Sequence, residues 1–166
     1  MRRSGIVTAI GLLLGPALPV PAHAVQRLID VRQVPSDTIR DVALVTFVQG
    51  RPTIYYNPVL LDRVGPELAA FFFAHEYGHI HAGHSGGALV HDGELDALRQ
   101  RQELEADCYA AASLGEHHPE VVEAALEFFV RMGPGRFDTW HPTGSQRAAR
   151  ILSCLPEVET ARNPGS

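Results

Sequence analysis

The sequence predicts an α+β fold, mainly helical, with a small antiparallel β-sheet beside the helices. Two short runs rich in β-branched and apolar residues, 41–48 and 53–56, flank Gly50-Arg51-Pro52. Longer segments over 66–82, 94–114, 119–132 and 145–155 then carry the start and stop signals of helices. The hydrophobic content, 45% of 166 residues, suffices for one domain with a core of its own.

Residues 1–24 stand apart from that domain. Met1-Arg2-Arg3 is a basic start, residues 6–18 are apolar, and Ala22-His23-Ala24 matches a small-residue cleavage site. This is the layout of a secretory leader. Pro16, Pro19 and Pro21 argue against a membrane-spanning helix. The protein is therefore expected to be exported, to a periplasm or out of the cell, as a domain over 25–155 with a flexible tail over 156–166. Loss of Arg2 and Arg3 would take the formal charge from −5 to −7. So acidic a chain has no electrostatic footprint for nucleic acid. No later run is long enough to cross a bilayer, so no stable membrane insertion is expected. Cys108 and Cys154 are the two cysteines. In an oxidising compartment they permit one disulfide; two buried thiols are the alternative.

Each element has a local reason. Residues 25–33 form an extended lead-in. The two β-rich runs form a hairpin with its turn at Gly50-Arg51-Pro52. Asn57-Pro58 ends the second strand, and 59–63 makes one helical turn. Gly65-Pro66-Glu67 opens the helix over 66–82, with Pro early and an acid in the first turn. Gly83 and Gly86-Gly87 stop it, and a loop follows over 85–92. Gly115 ends the next helix, Gly133-Pro134-Gly135 the third, and the last runs over 145–155.

The chemistry centres on His75-Glu76-Tyr77-Gly78-His79, within the first long helix. Side chains four apart share a helical face, so both imidazoles can reach one metal ion. Glu76, one position along, lies beside the open coordination site as a general base for an attacking water. The surrounding Ala69, Ala70, Phe71, Phe72, Phe73 and Ala74 predict a helix buried nearly all round. Two histidines and a glutamate there need a partner, because unpaired buried charge is costly. Catalytic zinc takes three protein ligands. His84, His91 and Glu103 are the candidates for the third. A histidine six positions after His79 would mark another class, but Ser85 stands there. Glu103 fits better, because Asp107 lies four residues on, on the same helical face, placed to accept the spare N–H of a ligand histidine. Glu105 points to another face and is expected in solvent.

Three ordered motifs resemble the HtpX-like and CAAX-prenyl-protease-like zinc metallopeptidases, a branch of the gluzincins. The first is the segment TIYYNPVLLDRVGPELAAFFFAHEYGHIHAGH, with its further histidine His84. The second is the Glu103…Asp107 pair in QELEADCYAA, and the third is His141-Pro142 with Arg147 in WHPTGSQRAARI. The resemblance spans roughly residues 53–155 and implies a gluzincin-like core holding one Zn²⁺ per chain on His75, His79 and Glu103, with Glu76 as base. It also implies that His141 and Arg147 face the site and stabilise an oxyanion, a role both can serve as donors. Members of that family often carry transmembrane helices or further domains; neither is expected here, which counts against membrane-embedded substrates, prenylated ones included. A Cys108–Cys154 bond would tie the third-ligand helix to the helix of Arg147.

The expected activity is zinc-dependent endopeptidase cleavage of a protein or peptide substrate. An extended substrate would pair with an exposed strand of the hairpin. Two alternatives are a zinc-binding interaction module without turnover and a zinc hydrolase of non-peptide, cell-wall amides. Glu76 counts against the first alternative, since a binder needs only the ligands.

Overall fold

A three-stranded sheet and five helices make up the chain in a computed structural model, which describes residues 30–84 and 93–155. The leader expected over 1–24, His91 and the tail over 156–166 lie outside those residues. The order is β1 (Arg32–Pro35), β2 (Ala43–Val48), β3 (Arg51–Tyr56), α1 (Pro58–Val64), α2 (Pro66–Ala82), α3 (Gly93–Leu114), α4 (Pro119–Met132) and α5 (Gly144–Ser153). The class is mixed α+β. Among the described residues no helix is long and apolar enough to cross a membrane.

The sheet departs from expectation in two ways. It is mixed: β2 and β3 are antiparallel, but β1 pairs with β3 in parallel, in the order β1-β3-β2. The reason lies in the path after β1. Ser36 N–H donates to Tyr56 O at 2.8 Å, and Ala43 pairs with the same Tyr56. The chain therefore loops over the end of β3 and comes back along its other edge. The hairpin turn is also displaced. Gln49 and Gly50 occupy it with φ of 52° and 76°, the left-handed pair that a two-residue hairpin requires. Arg51 and Pro52 belong to β3. Pairing with β1 starts only at Thr53, so Pro52 and its missing N–H lie outside that ladder.

Helix α2 lies between two apolar clusters. Toward the sheet, Ile80 meets Ala43 and Ile54. Toward the other helices, Leu68, Phe71 and Phe72 join Ala110, Val122, Ala125, Phe129 and Ile151. Phe71 and Phe129 meet edge-on with ring centroids 6.3 Å apart, and both are fully buried. Each such side chain contributes about 1.5–3 kcal/mol of burial. This sandwiching buries His75 and Glu76 together with their apolar neighbours.

Three local devices set the helices around the site. Asn57 caps α1, accepting from Val59 and Leu60 N–H. Thr143 and Gln146 form a reciprocal capping box at the start of α5, one residue ahead of Arg147. Gly78 lets α3 approach α2. A Cβ there would come within 2.9 Å of Ala106 Cα and 3.1 Å of Tyr109 Cβ. Cys108 on α3 and Cys154 at the end of α5 are joined as a disulfide, with Cα atoms 5.3 Å apart.

Candidate metal centre

One turn of α2 aims His75 and His79 at the same point, and α3 brings Glu103 to meet them. His75 Nε2 and His79 Nε2 lie 3.0 Å apart. Glu103 offers Oε2 at 3.2 Å from the first and Oε1 at 3.3 Å from the second. These three side chains form a group that could hold a metal ion, all their ligating atoms lying within 4.8 Å of one another.

The three groups are electrostatically coupled. Burial depresses His75, but the Glu103 charge and the hydrogen bond to Asp107 outweigh it and lift its pKa to about 10. His79 is instead lowered, by burial and by the neighbouring His75 charge. Glu103 is held well below the usual carboxylate range, because His75 and His79 outweigh the effect of burial. With protein groups alone, a proton on one imidazole is shared against the Glu103 carboxylate; two imidazoles and a carboxylate are also a donor set that zinc accepts.

Each histidine is oriented through its other nitrogen. His75 Nδ1–H donates to Asp107 Oδ1 at 2.9 Å. Asp107 is fully buried, and Arg147 grips it through Nε at 2.8 Å and Nη2 at 2.6 Å. The Asp107 pKa is lowered: burial would raise it, and the Arg147 charge and hydrogen bonds prevail. His79 Nδ1 lies 3.0 Å from Nδ1 of His84, whose Nε2 is 3.3 Å from Glu105 Oε2.

Arg147 lines the cleft, as the resemblance implies, with its donors engaged by Asp107. It is 2% exposed, two of its nitrogens are on Asp107, and its guanidinium stacks 4.2 Å from the centre of the Phe129 ring. It supports His75 through Asp107. His141 does face the centre, with Nε2 3.7 Å from Glu103 Oε2. Asp138, which the sequence reading missed, holds the other face of that ring, both carboxylate oxygens lying 2.9 Å from Nδ1.

Glu76 is buried on the same cleft, 6% exposed. Burial, the main cause, lifts its carboxyl to about 7, with the Glu103 charge adding to the rise. The His75 charge and a hydrogen bond from Val45 N–H oppose the rise. The cleft has a volume of about 260 Å³. Residues 43–45 of β2 form one wall, and Phe72, Phe137 and Trp140 supply aromatic surface.

Other contributors also escaped the sequence reading. Glu105 is 63% exposed, as its helical phase predicts, yet it reaches His84. Gly78 fills one of the unspecified positions of the metal-helix motif and determines how close α3 can come. His84, one of the three candidates for the third ligand, lies instead against Nδ1 of His79, where Gly83 directly before it turns the chain back. Comparisons with protein-family models, with curated proteins and with solved structures find no match.

Proposed function

We propose that the protein is an exported zinc-dependent endopeptidase. The observation that carries this reading is the triangle of His75 Nε2, His79 Nε2 and the Glu103 carboxylate, with sides of 3.0, 3.2 and 3.3 Å. Zinc bonds of about 2.0–2.1 Å in tetrahedral geometry separate two ligand atoms by about 3.3 Å, so the side chains fit this ion. When bound, zinc supplies a Lewis acid that polarises a carbonyl and acidifies water.

The residues around the triangle suit the remaining steps. Glu76 lies on the same cleft and, with its raised pKa, suits proton exchange near neutral pH. It takes a proton from the attacking water and returns it to the leaving amine. His141, held by Asp138, is the donor available to developing oxyanion charge. Strand β2 is an edge strand of the sheet along the cleft, so an extended peptide can add to it and pass the centre. The Cys108–Cys154 disulfide agrees with a leader over 1–24 and an oxidising destination.

The test is cleavage of a mixed peptide library by zinc-loaded protein beside its Glu76→Gln twin. Cutting by the first alone supports the reading. If both bind zinc and neither cuts, the endopeptidase assignment is lost. Activity on cell-wall amides instead would move the substrate class.

A further inference from the structure

We propose that His84 is a positioning residue for the metal ligand His79, and that Glu105 sets which His84 nitrogen accepts. The inference rests on the metal-centre reading above.

It begins in the backbone. Helix α2 ends with Gly83 in the left-handed region at φ 70°. Gly83 N–H donates to Ile80 O at 3.2 Å, and His84 N–H donates to His79 O at 2.9 Å. This is the bond pattern of a Schellman cap, which folds the second residue past the helix onto the residue five before it. That contact is ordinarily apolar. Here it joins two imidazoles, with ring centroids 5.2 Å apart and Nδ1 atoms 3.0 Å apart.

The proton order then follows. The His79 Nε2 lone pair points at the centre, so its proton belongs on Nδ1. That N–H needs an acceptor, and the atom facing it is Nδ1 of His84. For Nδ1 to accept, His84 must carry its own proton on Nε2. The Glu105 carboxylate, 3.3 Å from Nε2, favours that arrangement. The chain from Glu105 through His84 to His79 mirrors the one from Arg147 through Asp107 to His75. Both ligand rings are thereby fixed in tautomer and orientation. His84 is 9% exposed, so solvent competes little for its bond to His79, whereas the Glu105 carboxylate is open to water.

The experiment compares zinc affinity, by competition with a chromophoric chelator, for wild type, His84→Leu, His84→Asn and Glu105→Ala. His84→Leu is expected to bind zinc about 10–100-fold more weakly. Asn offers an oxygen near the position of Nδ1, and His84→Asn should recover most of that loss. In the zinc-loaded wild type, long-range ¹H–¹⁵N correlation of the imidazoles should show His79 protonated on Nδ1 and His84 on Nε2. Wild-type affinity in His84→Leu, equal loss in the Leu and Asn variants with intact folds, or a proton on His84 Nδ1 overturns the inference alone. A wild type that takes up no zinc overturns this inference together with the zinc reading. If His84→Leu does not fold, Glu105→Ala decides the matter, since it alters an exposed side chain. Weaker zinc binding with a changed His84 tautomer is expected, and an unchanged spectrum and affinity overturn the inference.

Discussion

Arg147 on α5 and Asp107 on α3 form a buried two-pronged ion pair, with bonds of 2.8 and 2.6 Å. Forty residues apart in sequence, they place a fixed carboxylate against His75. The pair connects packing to chemistry: without it, the His75 ring has no partner to set its tautomer.

Arg147→Met should therefore cost more than a lost contact. It leaves the buried Asp107 charge with His75 as its remaining partner, and breaking a buried ion pair costs about 3–5 kcal/mol. The thermal melt should fall and zinc affinity with it. Asp107→Asn should weaken zinc binding about 10–100-fold. Melts and a competition titration check both, and an unchanged melt for Arg147→Met would show that Asp107 finds compensation elsewhere.

Gly78→Ala should separate α2 from α3. The new Cβ would lie 2.9 Å from Ala106 Cα and 3.0 Å from its carbonyl oxygen, both backbone atoms. Overpacking of this kind costs about 1–3 kcal/mol. Because α3 also carries Glu103, the expected signature is a joint loss of stability and zinc affinity. Loss of stability with undiminished affinity would show that α3 shifts without carrying Glu103 away.

The Cys108–Cys154 bond closes a loop with a sequence separation of 46. Chain-entropy arguments assign such a loop about 4 kcal/mol. The double Cys108→Ala, Cys154→Ala variant should lose stability of that order in chemical denaturation. Alkylation followed by mass measurement should find both thiols blocked in the native protein and both free after reduction.

Glu76→Gln separates function from stability. The Glu76 pKa is raised by burial from its ordinary 4.5 to about 7. Below pH 4.5 the carboxyl is protonated in folded and unfolded chains alike. As pH rises toward 7 the unfolded chain releases the proton first, so the folded state loses stability, and above 7 that loss is complete. With excess chelator, the glutamine variant should melt higher than wild type above pH 7, and the gap should close as pH falls toward 4.5. A gap independent of pH would point to a change in packing.

Much of this architecture was legible in the chain. The bounds of α2 and α4 follow from Pro66, Gly83, Pro119 and Gly133, whose backbone preferences act locally. The pairing of His75 with His79, and of Glu103 with Asp107, follows from helical spacing. The hairpin turn was misplaced by one residue because Pro52 looked like turn chemistry, while the needed positive φ fell on Gln49 and Gly50. The parallel pairing of β1 was not legible, since nothing local to residues 32–35 states which edge will receive them.

By itself, the sequence determined which residues lie on one helical face and, to within a residue or two, where each helix begins and ends, because those properties depend on neighbours three to five positions away. Only the tertiary structure decided that Arg147 would serve Asp107, that Glu105 would reach His84, and that Gly78 would admit α3. These depend on how closely separate elements approach one another, and that distance is set by the packing of side chains far apart in the chain.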